Sequence, residues 1–144
     1  MSLQSPRMEN EAMISKLLKI VIPGVVVLTL LGCAGAPIHN VENAPVNASK
    51  ANYDLSDVTK GVIRAGTTLG WQMKEQTPGH IVGTLRLRDH VAVVDITYTL
   101  DEYSINYKDS SNLKYDPSNN TIHKNYNGWI KNLTNGIDAQ LVSL

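Results

Sequence analysis

The chain has 144 residues but only one cysteine, no phenylalanine and no net charge. A lone thiol excludes an internal disulfide, and no CxxC or other zinc-ligand spacing is present. Lys plus Arg and Asp plus Glu stand at 13 each. Such a balance gives no electrostatic pull toward nucleic acid, and no basic run hides inside it. Long hydrophobic runs are missing too. The best, at residues 20–31 ("IVIPGVVVLTLL"), is shorter than the ~20 residues a spanning helix needs. Pro23 and Gly24 would also weaken a helix there. What remains is enough chain for one domain. Every aromatic is Tyr or Trp, and all lie at or beyond Tyr53. Such rings bury an apolar body but need a partner for the polar tip.

The short apolar run follows Lys16 and Lys19 and leads into "LLGCA". A basic flank, a short apolar core and small residues describe a secretory signal peptide. Leu30-Leu31-Gly32-Cys33 resembles the lipobox of bacterial lipoproteins. That resemblance implies that the Cys33 thiol takes a diacylglycerol, that residues 1–32 are cut away, and that the new amine is acylated. Two or more acyl chains anchor stably, whereas one is marginal. The competing readings of Cys33 are a buried thiol or an uncleaved short anchor. Catalysis is disfavoured because a nucleophilic thiol needs a folded, electropositive setting. Ala34, rather than Asp, follows Cys33, and by resemblance to enterobacterial lipoproteins this implies the periplasmic face of the outer membrane. Removing residues 1–32 takes out Arg7, Lys16, Lys19, Glu9 and Glu11 and leaves the chain near neutral. The polar opening "MSLQSPRMENEA" is unusual for a signal peptide, and "MISKLLKIV" points to a translation start at Met13.

Residues 35–51 are rich in Ala, Asn, Pro and Ser without apolar period. Such a composition cannot offset its ordering entropy. Residues 33–53 are therefore expected to be lipidated Cys33 followed by a flexible tether. The reach of residues 35–51 would be about 20–25 Å. His39 within it reads as solvated.

Residues 54–144 are expected to form a periplasmic α+β domain. Asp54 is placed to cap a helix from Leu55 to about residue 66. Period-two alternation then predicts four strands near residues 70–76, 80–88, 91–99 and 103–108. Ile81, Leu85 and Leu87 fall on one face of the second, and Ala92, Val94, Ile96 and Tyr98 on one face of the third. Connections this short join antiparallel neighbours, so a four-stranded meander is expected. A polar loop, "DSSNLKYDPSNN", leads to a second helix from Thr121 to about residue 141. Ile122, Tyr126, Trp129, Ile130, Leu133, Ile137 and Leu141 form its stripe, with Gly128 and Gly136 expected to face away from it. Both helices are expected on one face of the sheet. The other face stays open, carrying Thr84, Arg86, Arg88, Asp95 and Thr97.

No motif for a metal, nucleotide or other cofactor stands out, and no enzyme activity is expected. Asp109, Ser110, Ser111 and His123 resemble a hydrolase triad only in composition, since no strand-turn-helix elbow presents the serine. His80 and His90 stand at opposite ends of one strand, roughly 25–30 Å apart, and cannot share a metal. Asp101 and Glu102 sit on a turn, where adjacent carboxylates are solvated.

The richest segment interleaves rings with amides. Tyr107, Asp109, Ser110, Asn112, His123, Asn125, Tyr126 and Trp129 are its candidate ligand or partner residues. One reading is structural: rings pack helix on sheet and polar groups tie down the loop. The other is recognition, because rings stack on sugars or peptides and amides bond them. The runs "YSINYKDSSNLKY" and "IHKNYNGWIKNL" look like those of a family of small, uncharacterised lipoproteins of Gram-negative bacteria. The resemblance spans about residues 58–141 plus the lipobox. It implies location and fold, and no established activity. The expected role is a non-catalytic interaction module held to the membrane by lipid, with an envelope protein or cell-wall glycan as partner. The alternative is a small-molecule carrier with a pocket between helices and sheet, lined by Tyr103, Tyr107 and Trp129.

Overall fold

A computed structural model describes residues 35–144. The expected signal peptide, the Met13 start and Cys33 lie outside the described residues. Among those described, the chain is α+β, with two helices and an open antiparallel sheet of five strands rather than four.

Helix α1, Leu55–Thr68, begins where a capping box satisfies its free N–H groups. The Asp54 carboxylate accepts from the Asp57 N–H at 3.0 Å, and the Asp57 carboxylate accepts from the Asp54 N–H at 3.3 Å. Val58, Val62 and Ala65 form its buried stripe. Gly66 lets the Met73 side chain lie against the helix backbone: a Cβ there would force the flexible Met73 thioether to shift.

Two short strands come before this helix, β1 (Ala36–Pro37) and β2 (Val41–Pro45). They lie inside the stretch expected to be a flexible tether. Composition misleads here because the stretch is held by backbone and amide pairing, and its few apolar residues, Ile38, Val41, Ala44 and Val46, pack on the core without a regular period. After α1 come β3 (Trp71–Thr77), β4 (His80–Leu87), β5 (His90–Tyr98) and β6 (Glu102–Ser111). The sheet order is β2-β6-β5-β4-β3. The expected meander is therefore present, with β2 added as an edge on β6. A bulge, Asn43 at φ 50° and Pro45 break the regularity of that edge, features that discourage edge-to-edge pairing.

Strand β7 (Thr121–Ile122) pairs with β1, so the expected helix start at Thr121 is corrected. Helix α2 runs over Lys124–Val142, with His123 as its N-cap. Tyr126, Ile130, Leu133, Ile137 and Leu141 are buried along it. Gly128 faces open space, but Gly136 does not face away as expected. A Cβ at Gly136 would come within 3.1 Å of Leu69 and 3.6 Å of the Ala65 Cβ, where the helices cross.

Tyr98 and Tyr103 are cross-strand partners and share a face. The Tyr98 hydroxyl meets Thr59 of α1 at 2.8 Å, and the Tyr103 hydroxyl donates to Asp138 of α2 at 2.6 Å. Both helices therefore cover one face of the sheet. Ile81, Ala92, Val94, Ile96 and Ile105 are buried beneath them. Each of the Val and Ile side chains contributes on the order of 1.5–3 kcal/mol. Leu87, expected on this face, is 47% exposed. It is the last residue of β4, at the hairpin, past the reach of the helix layer.

Candidate functional site

The predicted ring-and-amide segment divides into three places. Tyr107 lies opposite Val94 on the covered face. Its ring meets Tyr126 edge-on at 5.8 Å and Tyr115 at 4.4 Å, and its hydroxyl bonds the Ser110 hydroxyl at 2.9 Å. Burial pushes the Tyr107 phenol up, partly offset by the Ser110 bond. Tyr126 is fully buried, and its hydroxyl has no partner among the described residues. Burial pushes its ionisation well above the usual tyrosine range, reinforced by Tyr107. These rings belong to the packing between sheet and helix. So does Tyr103, 1% exposed and bonded to Asp138.

The second place is the start of α2. The His123 Nδ1 accepts from the Asn125 N–H at 3.3 Å, capping the helix. In the neutral ring the proton therefore sits on Nε2. The His90 Nδ1 donates to the Asn112 carbonyl at 2.8 Å, which sets the opposite tautomer. The two imidazoles stack at 5.8 Å, and Trp129 leans on His90 at 6.3 Å. All three rings are half-buried. Asn112 takes a left-handed φ of 60°, which turns the chain here. Asn125 is exposed and contributes its backbone to the cap.

Asp109 occupies a third place. It pairs with Val93, and its carboxylate accepts from the adjacent Ser110 N–H at 2.8 Å. Among the described residues no hydrogen bond joins Asp109, Ser110 or Ser111 to His123, so this structure does not assemble the paper triad. His80 and His90 stand at opposite ends of the β4–β5 ladder, paired with Thr97 and Leu87. No group of three His, Cys, Asp or Glu gathers in a metal-binding arrangement among the described residues.

A different constellation lies on the open face. Asp95 accepts from the Lys108 ammonium with both carboxylate oxygens at 2.9 Å, and its Oδ1 lies 2.6 Å from the His80 Nε2. Burial raises the Asp95 pKa, but the bonds and charges of Lys108 and His80 outweigh it and hold the carboxyl below its ordinary value. Lys108 stands at a bulge, where Val93 pairs with Asp109 while Val94 pairs with Tyr107. His80 pairs with Thr97 and so reaches Asp95 diagonally. Alternation in the sequence already places Asp95 on this face. The pairing with Lys108 needs the bulge, which has no mark in the sequence.

Beside this cluster, Gln72, Lys74, Gln76, Val82 and Thr84 line an open concavity of about 480 Å³ with His80 and Lys108. Asp95 is spent on its neighbours and is no free base. The surface offers ammonium, amide and hydroxyl donors, which suits a ligand rich in oxygen acceptors. Compared with known proteins, the chain matches no family model, no curated sequence and no solved structure.

Proposed function

We propose that the protein is a lipid-anchored lipoprotein of the cell envelope, held through Cys33 at the periplasmic face of the outer membrane. Its domain acts as a non-catalytic interaction module for an envelope protein or cell-wall glycan. The anchor rests on the Leu30-Leu31-Gly32-Cys33 box with its basic flank and short apolar run. No helix among the described residues is long and apolar enough to cross a membrane. The observation that carries the binding role is the uncovered sheet face with its donor-lined concavity. A cell-wall glycan with its peptide stems presents hydroxyl, carbonyl and carboxylate oxygens, the acceptors these side chains match. The ring-and-amide segment, by contrast, spends most of its groups internally.

The test is crosslinking and pull-down from membranes of the lipidated protein, run beside sedimentation with purified cell-wall sacculi. A specific partner or sacculus binding is expected, reduced at least several-fold by Lys74→Ala with Lys108→Ala. Recovery of nothing above a control carrying only the lipobox would remove the proposal.

A further inference from the structure

The segment after the lipobox does not hang free. Gly35 lies flush on β7, where a Cβ would sit 3.0 Å from the Thr121 Cβ. Ala36 and Pro37 pair with Ile122 and Thr121. The Asn127 side chain then clamps the arm at two points, donating to the Pro37 carbonyl at 2.8 Å and accepting from the His39 N–H at 3.0 Å. Asn40 accepts from the Tyr107 N–H at 3.0 Å, and β2 continues along β6 toward Glu102. Only Ala34 separates Cys33 from this docked arm. Two Cα steps reach about 7–8 Å. A headgroup layer is itself about 5–7 Å thick. A lipid on Cys33 therefore leaves no gap into which solvent could lift the domain.

We infer that the domain lies directly on the phospholipid headgroups, through the end formed by the start of α2 and the β4–β5 hairpin. This rests on the reading of Cys33 as lipidated. The end is defined by three contacts. Ile122, beside the arm, leads into α2; His90 at the hairpin stacks on His123; and the His123 N–H donates to the Leu113 carbonyl at 2.8 Å.

Charge supplies an independent argument. At this end the exposed Arg86, Arg88, Lys114 and Lys124 outnumber Asp89, Asp109 and Asp116. At the opposite end Asp54, Asp57, Asp101 and Glu102 outnumber Lys50 and Lys60, the latter paired with Asp57 at 3.5 Å, next to the contact of the Tyr53 hydroxyl with the Leu100 carbonyl. The processed chain, near neutral overall, is thus modestly polarised along its sheet, with a small basic excess where the anchor enters and an acidic excess at the other end. Anionic lipid attracts that end and repels the other. Exposed apolar side chains do not discriminate, since Leu87 lies at one end and Leu100 at the other.

Two probes on α2 test the orientation. Asn125→Cys and Ala139→Cys are both exposed positions. They differ by about 21 Å along the helix axis. Lipidation consumes the single native thiol, so each engineered thiol can be labelled alone. The full-length processed protein is reconstituted in vesicles of phosphatidylethanolamine and phosphatidylglycerol carrying a headgroup-attached quencher. Quenching at position 125 is expected to exceed that at 139 at least threefold, and Lys114→Glu with Lys124→Glu is expected to narrow the ratio. Mass spectrometry of the Cys33 peptide is run on the same sample. Acylated Cys33 with equal quenching, or with more at 139, overturns the orientation alone. An unmodified Cys33 overturns both the orientation and the anchored reading.

Discussion

On the covered face of the sheet, Tyr98 and Tyr103 send their hydroxyls into the helix layer and find Thr59 and Asp138. On the open face, Asp95 gathers Lys108 and His80 within reach of solvent. Both are polar contacts between side chains, but their surroundings give them different weight. A buried hydroxyl that loses its partner keeps the cost of desolvation, whereas an exposed ion pair that opens is rehydrated. The covered face therefore carries the stability, and the open face is free to change its chemistry without unfolding the domain.

Packing should show the contrast at its largest. Ile137 is fully buried, and Ile137→Ala should cost about 2–5 kcal/mol in urea unfolding. Lys74→Ala, on the open face, should stay within about 0.5 kcal/mol. An equal loss from both would erase the distinction. A finer comparison lies within one bond. Asp138→Ala leaves the Tyr103 hydroxyl buried and unpaired, and should cost about 1–3 kcal/mol. Tyr103→Phe removes the buried donor and leaves Asp138 in water, so it should cost less. Thermal unfolding of the two variants checks the order, and the reverse order would mean that water reaches the Tyr103 hydroxyl.

The smallest effect concerns Asp95. Its carboxyl is held below the ordinary value in the folded state. The stability it lends is present above that ordinary value and is lost as pH falls through the lowered one. Lys108→Ala removes the main lowering partner while the burial that raises the pKa stays. The Asp95 titration followed by NMR should move up, and acid unfolding should begin at slightly higher pH. Salt should shrink the difference, because the pair is partly exposed. An unmoved titration would show that Lys108 does not hold the carboxylate in solution.

The elements that could be read from the sequence are those whose information is local. Asp54 sits three residues before Asp57 and caps α1; Thr77-Pro78-Gly79 turns β3 into β4; and the stripe from Tyr126 to Leu141 recurs at helical spacing. The arm could not be read this way. Its partners Ser104, Tyr107 and Asn127 lie between 61 and 90 residues downstream, and its own residues carry no apolar rhythm. Much the same holds for the candidate site. Tyr107, Tyr126, His123 and Trp129 do come near one another's elements, but as packing and a helix cap. The Asp95 cluster depends on cross-strand register and a bulge, which only the folded chain displays.

If the protein is exported as proposed, the docked arm has a consequence for the order of events. A chain that emerges N-terminus first presents residues 33–45 long before Ile122 and Asn127 exist outside. β2 can already pair with β6, but until those late residues arrive residues 35–39 lack β7 and Asn127, an interval in which the acylation and cleavage proposed at Cys33 would take place. Docking of residues 35–39 then follows, as β7 and Asn127 arrive and close over them. In such a protein, maturation is timed by the distance along the chain between a strand and its partner.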